Sequence, residues 1–583
     1  MIMAEMGSRV VLRPAEDRGQ LDAVADPYLR RIMLARGVTS AAEMDLSLKG
    51  LLHYSALKGI GAACALIYET MVSGGRIVVV GDYDVDGATS TALAVRLLRL
   101  FGCRNVSYYV PDRVLMGYGL SPAIAEIVKN DFAADLIITV DNGITSFDGV
   151  KRAHELGIRV LVTDHHLSDE HVPEAEAIVN PNQKGCGFQS KAMAGVGVIF
   201  YVMAALRAYL SSRNWFSSRG IAAPKMSVFL DMVAVGSIAD VVRFDRNNRI
   251  MIRRGIEVIR QGRGCPCFPL MLLRAQKHPY LATESDICHL IAPLLNAVGR
   301  IENMNLGIRC LLSDDRGEIE NIISELFGVN ARRREMEIRM RLAAEERLKR
   351  QNLEGQNSIV LYDPSYHQGI VGLVASRLKE SYNRPVAVFA GSADGELKGS
   401  VRSVDGLNIR SVLEKLSVKY PDLVLRYGGH AMAAGLSVKM DRLDEFAEVF
   451  RRELAEFLAG VEPVKTVYTD GQLPLDHISV DFVRAIKALG PWGNGFEYPV
   501  FEGVFLVQNY RFLNENKHLK MDLTVYGSHY EFGAIFFNIP DGLAGFDLWH
   551  RKVRLCYRLE LNNWKGNSCL QLAVEDLAVL DSD

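Results

Sequence analysis

A chain of 583 residues with 49% hydrophobic and 23% charged residues can bury several cores, and its length points to three or four domains. No uninterrupted apolar run reaches the roughly 18 to 20 residues that cross a bilayer, and the polar N-terminus (MIMAEMGSRVVLRPAEDRG) does not read as a signal peptide, so a cytoplasmic protein without a membrane partner is expected. A net charge of −2 excludes bulk attraction to a polyanion, which leaves local patches to make any nucleic-acid contact.

Residues 1–60 read as an N-terminal extension, and 61–315 as a first α/β domain. Within it three apolar runs end in acidic or imidazole-bearing loops. Arg76 to Val80 (RIVVV) leads into Gly81-Asp82-Tyr83-Asp84-Val85-Asp86-Gly87, Asp135 to Val140 (DLIITV) into Asp141-Asn142-Gly143, and Arg159 to Val162 into Thr163-Asp164-His165-His166. Helical patterning lies between them, in Ala88 to Leu100 and Phe147 to Leu156, which gives a βαβ rhythm. Strands apolar on both faces predict a parallel sheet covered by helices, and such sheets bind ligands at the carboxyl ends of their strands.

Carboxylates and imidazoles gathered at neighbouring strand ends suit a divalent cation, and the mixture of Asp and His favours Mn²⁺ or Mg²⁺ over a thiolate-rich zinc site. Each piece alone has a plainer reading. The D-x-D-x-D-G start also opens a calcium-binding EF-hand, but the twelfth position is Leu93 where a glutamate is required, and a strand precedes the loop. A solvated turn with helix-capping aspartates is the other alternative. Three independent strand ends carrying ligand-type residues make coincidence improbable. Asp240, after the apolar segment Val228 to Ile238, is unremarkable by itself. The nine cysteines are scattered, with only Cys265 and Cys267 close in sequence, and read as reduced structural thiols.

Residues 316–352 read as a long connecting helix with an apolar stripe (Ile319, Ile322, Ile323, Leu326, Met336, Met340) and a basic block at Arg332 to Arg334, the latter an ordinary solvated face. A second α/β domain spans 353–460. It carries two glycine-bearing polar turns, Gly399-Ser400-Val401-Arg402-Ser403 and Gly428-Gly429-His430, where glycine permits close backbone approach and Ser, Arg and His donors suit phosphate oxygens. Residues 461–583 alternate in the manner of strands and predict a small β-barrel of OB type, a stacking surface for single strands.

These residues resemble the DHH phosphoesterase superfamily, with its motifs in Asp82 to Gly87, Asp141, the Asp164-His165-His166 triplet and Asp240. Within it the chain is similar to the RecJ family of single-stranded-DNA-specific exonucleases. That likeness runs through Pro111-Asp112-Arg113, Gly117-Tyr118-Gly119-Leu120, Asn296 to Arg300, His367 to Gly372, Gly428-Gly429-His430 and the turn Gly490 to Pro499, which departs from the family pattern at Trp492, Phe496 and Glu497. The resemblance implies a parallel-sheet DHH domain and a DHHA1-type α/β domain joined by the long helix around a central groove, plus the OB-like barrel.

It also implies a catalytic set of Asp82, Asp84, Asp86, Asp141, Asp164, His165, His166 and Asp240. Two divalent cations, Mn²⁺ or Mg²⁺, would be held by Asp84 and Asp86, bridged by Asp141 and completed by His165 and Asp240, with Asp82 adding or orienting a ligand. Asp164 would fix a histidine tautomer from the outer shell, and His166 would touch the scissile phosphate. Arg113, Arg300, Arg377, Ser400, Arg402, Gly428, Gly429 and His430 are the substrate-binding candidates; a surface ion pair is as good a reading for each arginine alone, and Arg402 and His430 rise above it because they sit in glycine-bearing turns. For Tyr83 and Tyr118, ordinary packing outweighs base stacking.

The activity implied is 5′ to 3′ hydrolysis of single-stranded DNA to mononucleotides in repair and recombination. The implied protein is a cytoplasmic monomer, partnered by the DNA, a single-stranded-DNA-binding protein and a helicase. Two rivals stand beside it. One is a DHH phosphodiesterase of short oligonucleotides or cyclic dinucleotides, and the other is a non-catalytic DNA-binding scaffold.

Overall fold

The computed structural model describes residues 8–16, 21–22, 24–113, 116–168, 170–351, 353, 355–392, 395–458, 465–540, 542–564 and 567–580. The chain divides into two compact units, one of Leu51–Val242 with Met251–Pro463, the other of Met1–Gly50, Arg243–Ile250 and Val464–Asp583.

The larger unit contains a five-stranded parallel sheet: β1 (Ile77–Gly81), β2 (Val106–Tyr109), β3 (Leu136–Val140), β4 (Arg159–Thr163) and β5 (Ala177–Val179). Their order is β2-β1-β3-β4-β5. β1 and β3 are buried at every position, which is why the sequence shows them as unbroken apolar runs: helices cover both faces of the sheet. The chain leaves β1 toward one edge and returns on the other side as β3. The crevice at the carboxyl ends of β1 and β3 is therefore the switch point at which such sheets bind ligands.

Helix α1 (Val85–Leu100) follows β1 directly and packs against α2 (Gly195–Ser212) and α3 (Leu230–Ala239). By length and composition α2 is apolar enough to cross a membrane, against the expectation that no run reaches that length. Twelve of its 18 residues are buried, so its apolar surface is accounted for by packing. Farther along the chain are α4 (Ala292–Ile301) and the connecting helix α5 (Arg316–Lys349). Asp315 caps α5, accepting the Glu318 N–H at 2.6 Å, and Ile319, Ile322, Ile323 and Leu326, then Met340, Ala344 and Leu348, lie buried along it.

The second sheet of this unit is mixed. Strands β6 (Ile359–Tyr362), β7 (Val386–Gly391), β8 (Glu396–Arg402), β9 (Arg426–Gly429) and β10 (Ala433–Lys439) lie in the order β9-β10-β8-β7-β6, with only β6 and β7 parallel. Helix α6 (Val371–Tyr382) packs on β7 and β8. Edge strand β9, which carries Gly428 and Gly429, is exposed at all four positions.

The smaller unit holds a closed barrel of β11 (Phe501–Leu513), β12 (His518–Val525), β13 (Glu531–Phe537), β14 (Lys552–Trp564) and β15 (Asn567–Val579), in the order β11-β12-β13-β15-β14. Closure leaves no free edge. Of the segment read as an N-terminal extension, the described residues up to Gly50 belong to the same unit as this barrel. Arg9–Leu12 pairs in parallel with Thr466–Thr469, and Arg36 forms a fully buried ion pair with Asp470 at 2.7 Å.

Candidate active site

The loop after β1 places its three aspartates by local rules. Asp84 is the N-cap of α1 and accepts the Gly87 N–H at 3.0 Å, so the capping alternative holds for this residue. Asp86, in the first turn, is 1% exposed. Its two oxygens accept the N–H groups of Gly195 (2.6 Å) and Val196 (2.9 Å) at the start of α2, where the helix dipole favours an anion. Asp141, just past β3, has left-handed backbone (φ 61°), which aspartate tolerates better than most residues.

The third loop organises two histidines through one carboxylate. Asp164 Oδ1 accepts the His165 and His166 N–H groups (2.7 and 3.2 Å) and faces His166 Nδ1 at 2.8 Å, while Oδ2 accepts the Ile144 N–H at 2.9 Å. Burial alone would raise the Asp164 carboxyl, but its bond to His166 holds it below its ordinary value. Burial alone would likewise lower His166, and the same bond wins and lifts it to about 9. Asp164 thus ties both histidines of this loop to the Ile144 backbone.

His165 turns inward. Its Nε2 lies 3.0 Å from Asp141 Oδ1, 3.7 Å from Asp240 Oδ2 and 3.9 Å from Asp86 Oδ2. Three overlapping ligand-competent groups result: Asp82, Asp84 and Asp141; Asp86, His165 and Asp240; and Asp141, Asp164, His165 and His166, each offering carboxylate oxygens or imidazole nitrogens within 4.8 Å of one another. Asp141 of the first lies 3.0 Å from His165 of the second.

Three atoms in this crevice, Asp82 Oδ1, Asp141 Oδ1 and His165 Nε2, are buried without an aligned hydrogen bond, the 3.0 Å approach of the last two to each other included. Orphaned acceptors of this kind are costly unless a cation completes them. Electrostatics point the same way. Burial, then neighbouring carboxylates, push Asp82, Asp141 and Asp240 well above the carboxylate range and Asp86 up to about 7. Burial and the nearby His166 charge pull His165 down to about 3. Such acids ionise together only beside compensating positive charge. The donor set, hard oxygens with one neutral imidazole, fits Mn²⁺ or Mg²⁺.

Arginines lie beside the acids. Arg300, near the end of α4, donates to the Gly369 carbonyl at 3.3 Å, and Gly369 is required there because a Cβ would stand 1.9 Å from the Arg300 carbonyl oxygen. Arg402, at the end of β8, is clamped by Ser400 (2.7 Å) and Ser376 (3.0 Å). Burial, and after it the charge of Arg113, lower both guanidinium groups to about 10, with Arg402 and Arg333 also contributing at Arg300. Among the described residues neither forms an ion pair with an acid, and both remain cationic at neutral pH, as a site for phosphate oxygens needs. Arg113 lies over the Tyr83 ring at 4.9 Å. His430 stacks on His166 with ring centroids 6.0 Å apart, which brings the second domain's Gly-Gly-His turn to the DHH loop.

Arg377 is placed differently. Glu337 (3.5 Å) and Glu380 (3.1 Å) neutralise it, so it offers less to a phosphate than the other arginines. Sequence reasoning also undervalued Tyr118, whose hydroxyl donates to the Asp141 carbonyl at 2.9 Å and lies 3.1 Å from His166 Nδ1. The grip of α2 on Asp86 was missed, and the Gly195-Val196-Gly197 start of that helix was its available signal.

Residues 76–236 match the model of the DHH family, N-terminal domain, residues 355–456 the DHHA1 domain, and residues 469–576 the RecJ OB domain. The single-stranded-DNA-specific exonuclease RecJ of Salmonella typhimurium is 43% identical over 568 residues, covering 97% of this chain and 98% of that protein. The crystal structure of RecJ in complex with Mn²⁺ from Thermus thermophilus matches with a TM-score of 0.80 at 29% identity, covering 98% of this chain and 80% of the other. The complex with Mg²⁺ from the same organism gives 0.75 at 27%, covering 98% and 79%. With DHH loops, a DHHA1 domain and an OB barrel all in place, the chain belongs to the RecJ family of single-stranded-DNA-specific exonucleases.

Proposed function

We propose that this protein hydrolyses single-stranded DNA from its 5′ end to mononucleotides, as a cytoplasmic monomer acting in repair and recombination. The observation that carries the reading is the Asp82, Asp84 and Asp141 group set beside the Asp86, His165 and Asp240 group, the two joined by the 3.0 Å approach of Asp141 to His165, with orphaned Asp82, Asp141 and His165 atoms turned into one crevice. Asp82, Asp84 and Asp141, and Asp86, His165 and Asp240, would hold two divalent cations, Mn²⁺ or Mg²⁺, which when bound would supply Lewis acidity to the phosphodiester and to the attacking water.

The chain's own residues do the remaining work. His166, kept protonated by Asp164, donates to a phosphate oxygen, and Tyr118 steadies its ring. Arg113, Arg300 and Arg402, the last set by Ser400 and Ser376, bind the phosphates of the strand end, and Gly428 and Gly429 allow close passage beside His430. The barrel offers exposed Tyr526, Tyr530 and Trp549 as stacking faces for unpaired bases. A single-stranded-DNA-binding protein and a helicase are the partners that would present such a substrate.

The test is digestion of a 5′-labelled single strand with Mn²⁺ or Mg²⁺, beside a blunt duplex, a dinucleotide and a cyclic dinucleotide. Labelled mononucleotide should appear first from the long single strand, and Asp141→Ala should lower the cleavage rate by on the order of 10³-fold while strand binding persists. Survival of the 5′ label, or preference for the duplex or the cyclic dinucleotide, would overturn the assignment.

A further inference from the structure

Asp240 is held unlike the other acids of the centre. Its side chain is 29% exposed, where those of Asp86 and Asp141 are 1% and 4% exposed. It caps the carboxyl end of α3, and the negative end of a helix dipole disfavours an anion.

The residue after it adds a second opposing effect. Val241 has φ 56°. Its N–H donates to the Ile238 carbonyl (3.2 Å) and the Val242 N–H to the Ser237 carbonyl (3.4 Å), the paired bonds of a Schellman stop whose left-handed residue is usually glycine. A β-branched side chain in that conformation is an outlier, and strained backbone clusters where function requires it. Val241 is 63% exposed, so burial of its side chain is not what compensates the strain.

We propose that Val241 is a positioning residue that weakens cation binding at the Asp86, His165 and Asp240 group by making the inward placement of Asp240 costly. The proposal rests on the metal-centre reading above. Strain at the stop and the helix dipole both favour withdrawal of Asp240, and the charge of a bound cation opposes them. This position is then the weaker and more exchangeable of the two, and Asp240 is the ligand that lets go.

Titration calorimetry of Mn²⁺ into the full chain tests this, together with stopped-flow release of Mn²⁺ into a chelator. Val241→Gly and Val241→Asn both relieve the left-handed strain. Each should tighten the weaker Mn²⁺ step about five- to tenfold and slow its release in proportion. Asp240→Asn should abolish that step with either residue at 241. Unchanged or weaker Mn²⁺ binding in either Val241 variant overturns the proposal, whereas failure of the unaltered chain to bind Mn²⁺ overturns the metal-centre reading itself.

Discussion

His166 shows how one hydrogen bond can decide a charge state. Burial alone would lower its ordinary value of 6.5, yet the Asp164 carboxylate at 2.8 Å brings it to about 9. The folded value therefore lies above the unfolded one, and protonation favours the fold. That contribution is complete below pH 6.5 and is lost as pH rises through about 9. In chelated protein the His166 ring should titrate near 9 by NMR. Asp164→Asn should lower the midpoint from about 9, because burial is then opposed only by the weaker pull of Asp240 and Asp82, and should flatten the decline in stability between pH 6.5 and 9. A midpoint that stays near 9 without the carboxylate would show that another group holds the proton.

At the scale of elements, the start of α2 is a packing constraint as much as a helix. Propensity alone favours Ala over Gly by about 1 kcal/mol in a helix interior. At Gly195, however, a Cβ would stand 2.7 Å from Asp141 Cβ and 2.9 Å from its Cα, and the same residue's N–H holds Asp86. Overpacking of this kind costs about 1–3 kcal/mol, so sterics win. Gly195→Ala should lower the urea midpoint and weaken Mn²⁺ binding together, and denaturation plus calorimetry on one sample checks both.

The same region marks what the sequence could and could not reveal. Strands β1, β3 and β4 were legible because parallel strands buried on both faces leave unbroken apolar runs, and their acidic ends stood out against them. Edge strand β2 (VSYY) and short β5 (AIV) carry too little pattern to be recognised. The bond from Gly195 to Asp86 joins residues 109 apart, and no periodicity reports such a contact. The glycine-bearing turn around Arg402 set it above Arg377 in the sequence, but only the fold gives Arg377 its partners Glu337 and Glu380 and Arg402 its clamps Ser376 and Ser400.

At the scale of the molecule, the barrel unit is built from both ends of the chain. Nothing local in Arg9–Leu12 announces a partner at Thr466–Thr469, so the N-terminal extension was readable only as an extension. Arg36 and Asp470 have side chains 1% and 0% exposed, and Arg36 also donates to the Glu497 carbonyl at 2.6 Å and lies over the Trp492 ring at 5.4 Å. Arg36→Ala leaves Asp470 buried without its cation, a loss of about 3–5 kcal/mol. Near-UV circular dichroism and limited proteolysis of the barrel should report its unfolding at temperatures that leave the larger unit intact.

The charge distribution of the whole chain sets a last expectation. With a net charge of −2, binding of a polyanion rests on a few local cations and not on a general field. Each phosphate neutralised on a single strand adds about 0.7 to the magnitude of the slope of log K against log salt. In an Asp141→Ala background that does not cut, Arg300→Ala and Arg402→Ala should each flatten that slope by about 0.7, because neither guanidinium has an acidic partner among the described residues. Arg377→Ala should leave the slope unchanged, because Glu337 and Glu380 already neutralise it. Fluorescence anisotropy with a short thymidine oligomer across a salt series measures all three. Equal slopes for the three variants would mean that ion pairing within the fold does not select the arginines that hold the strand.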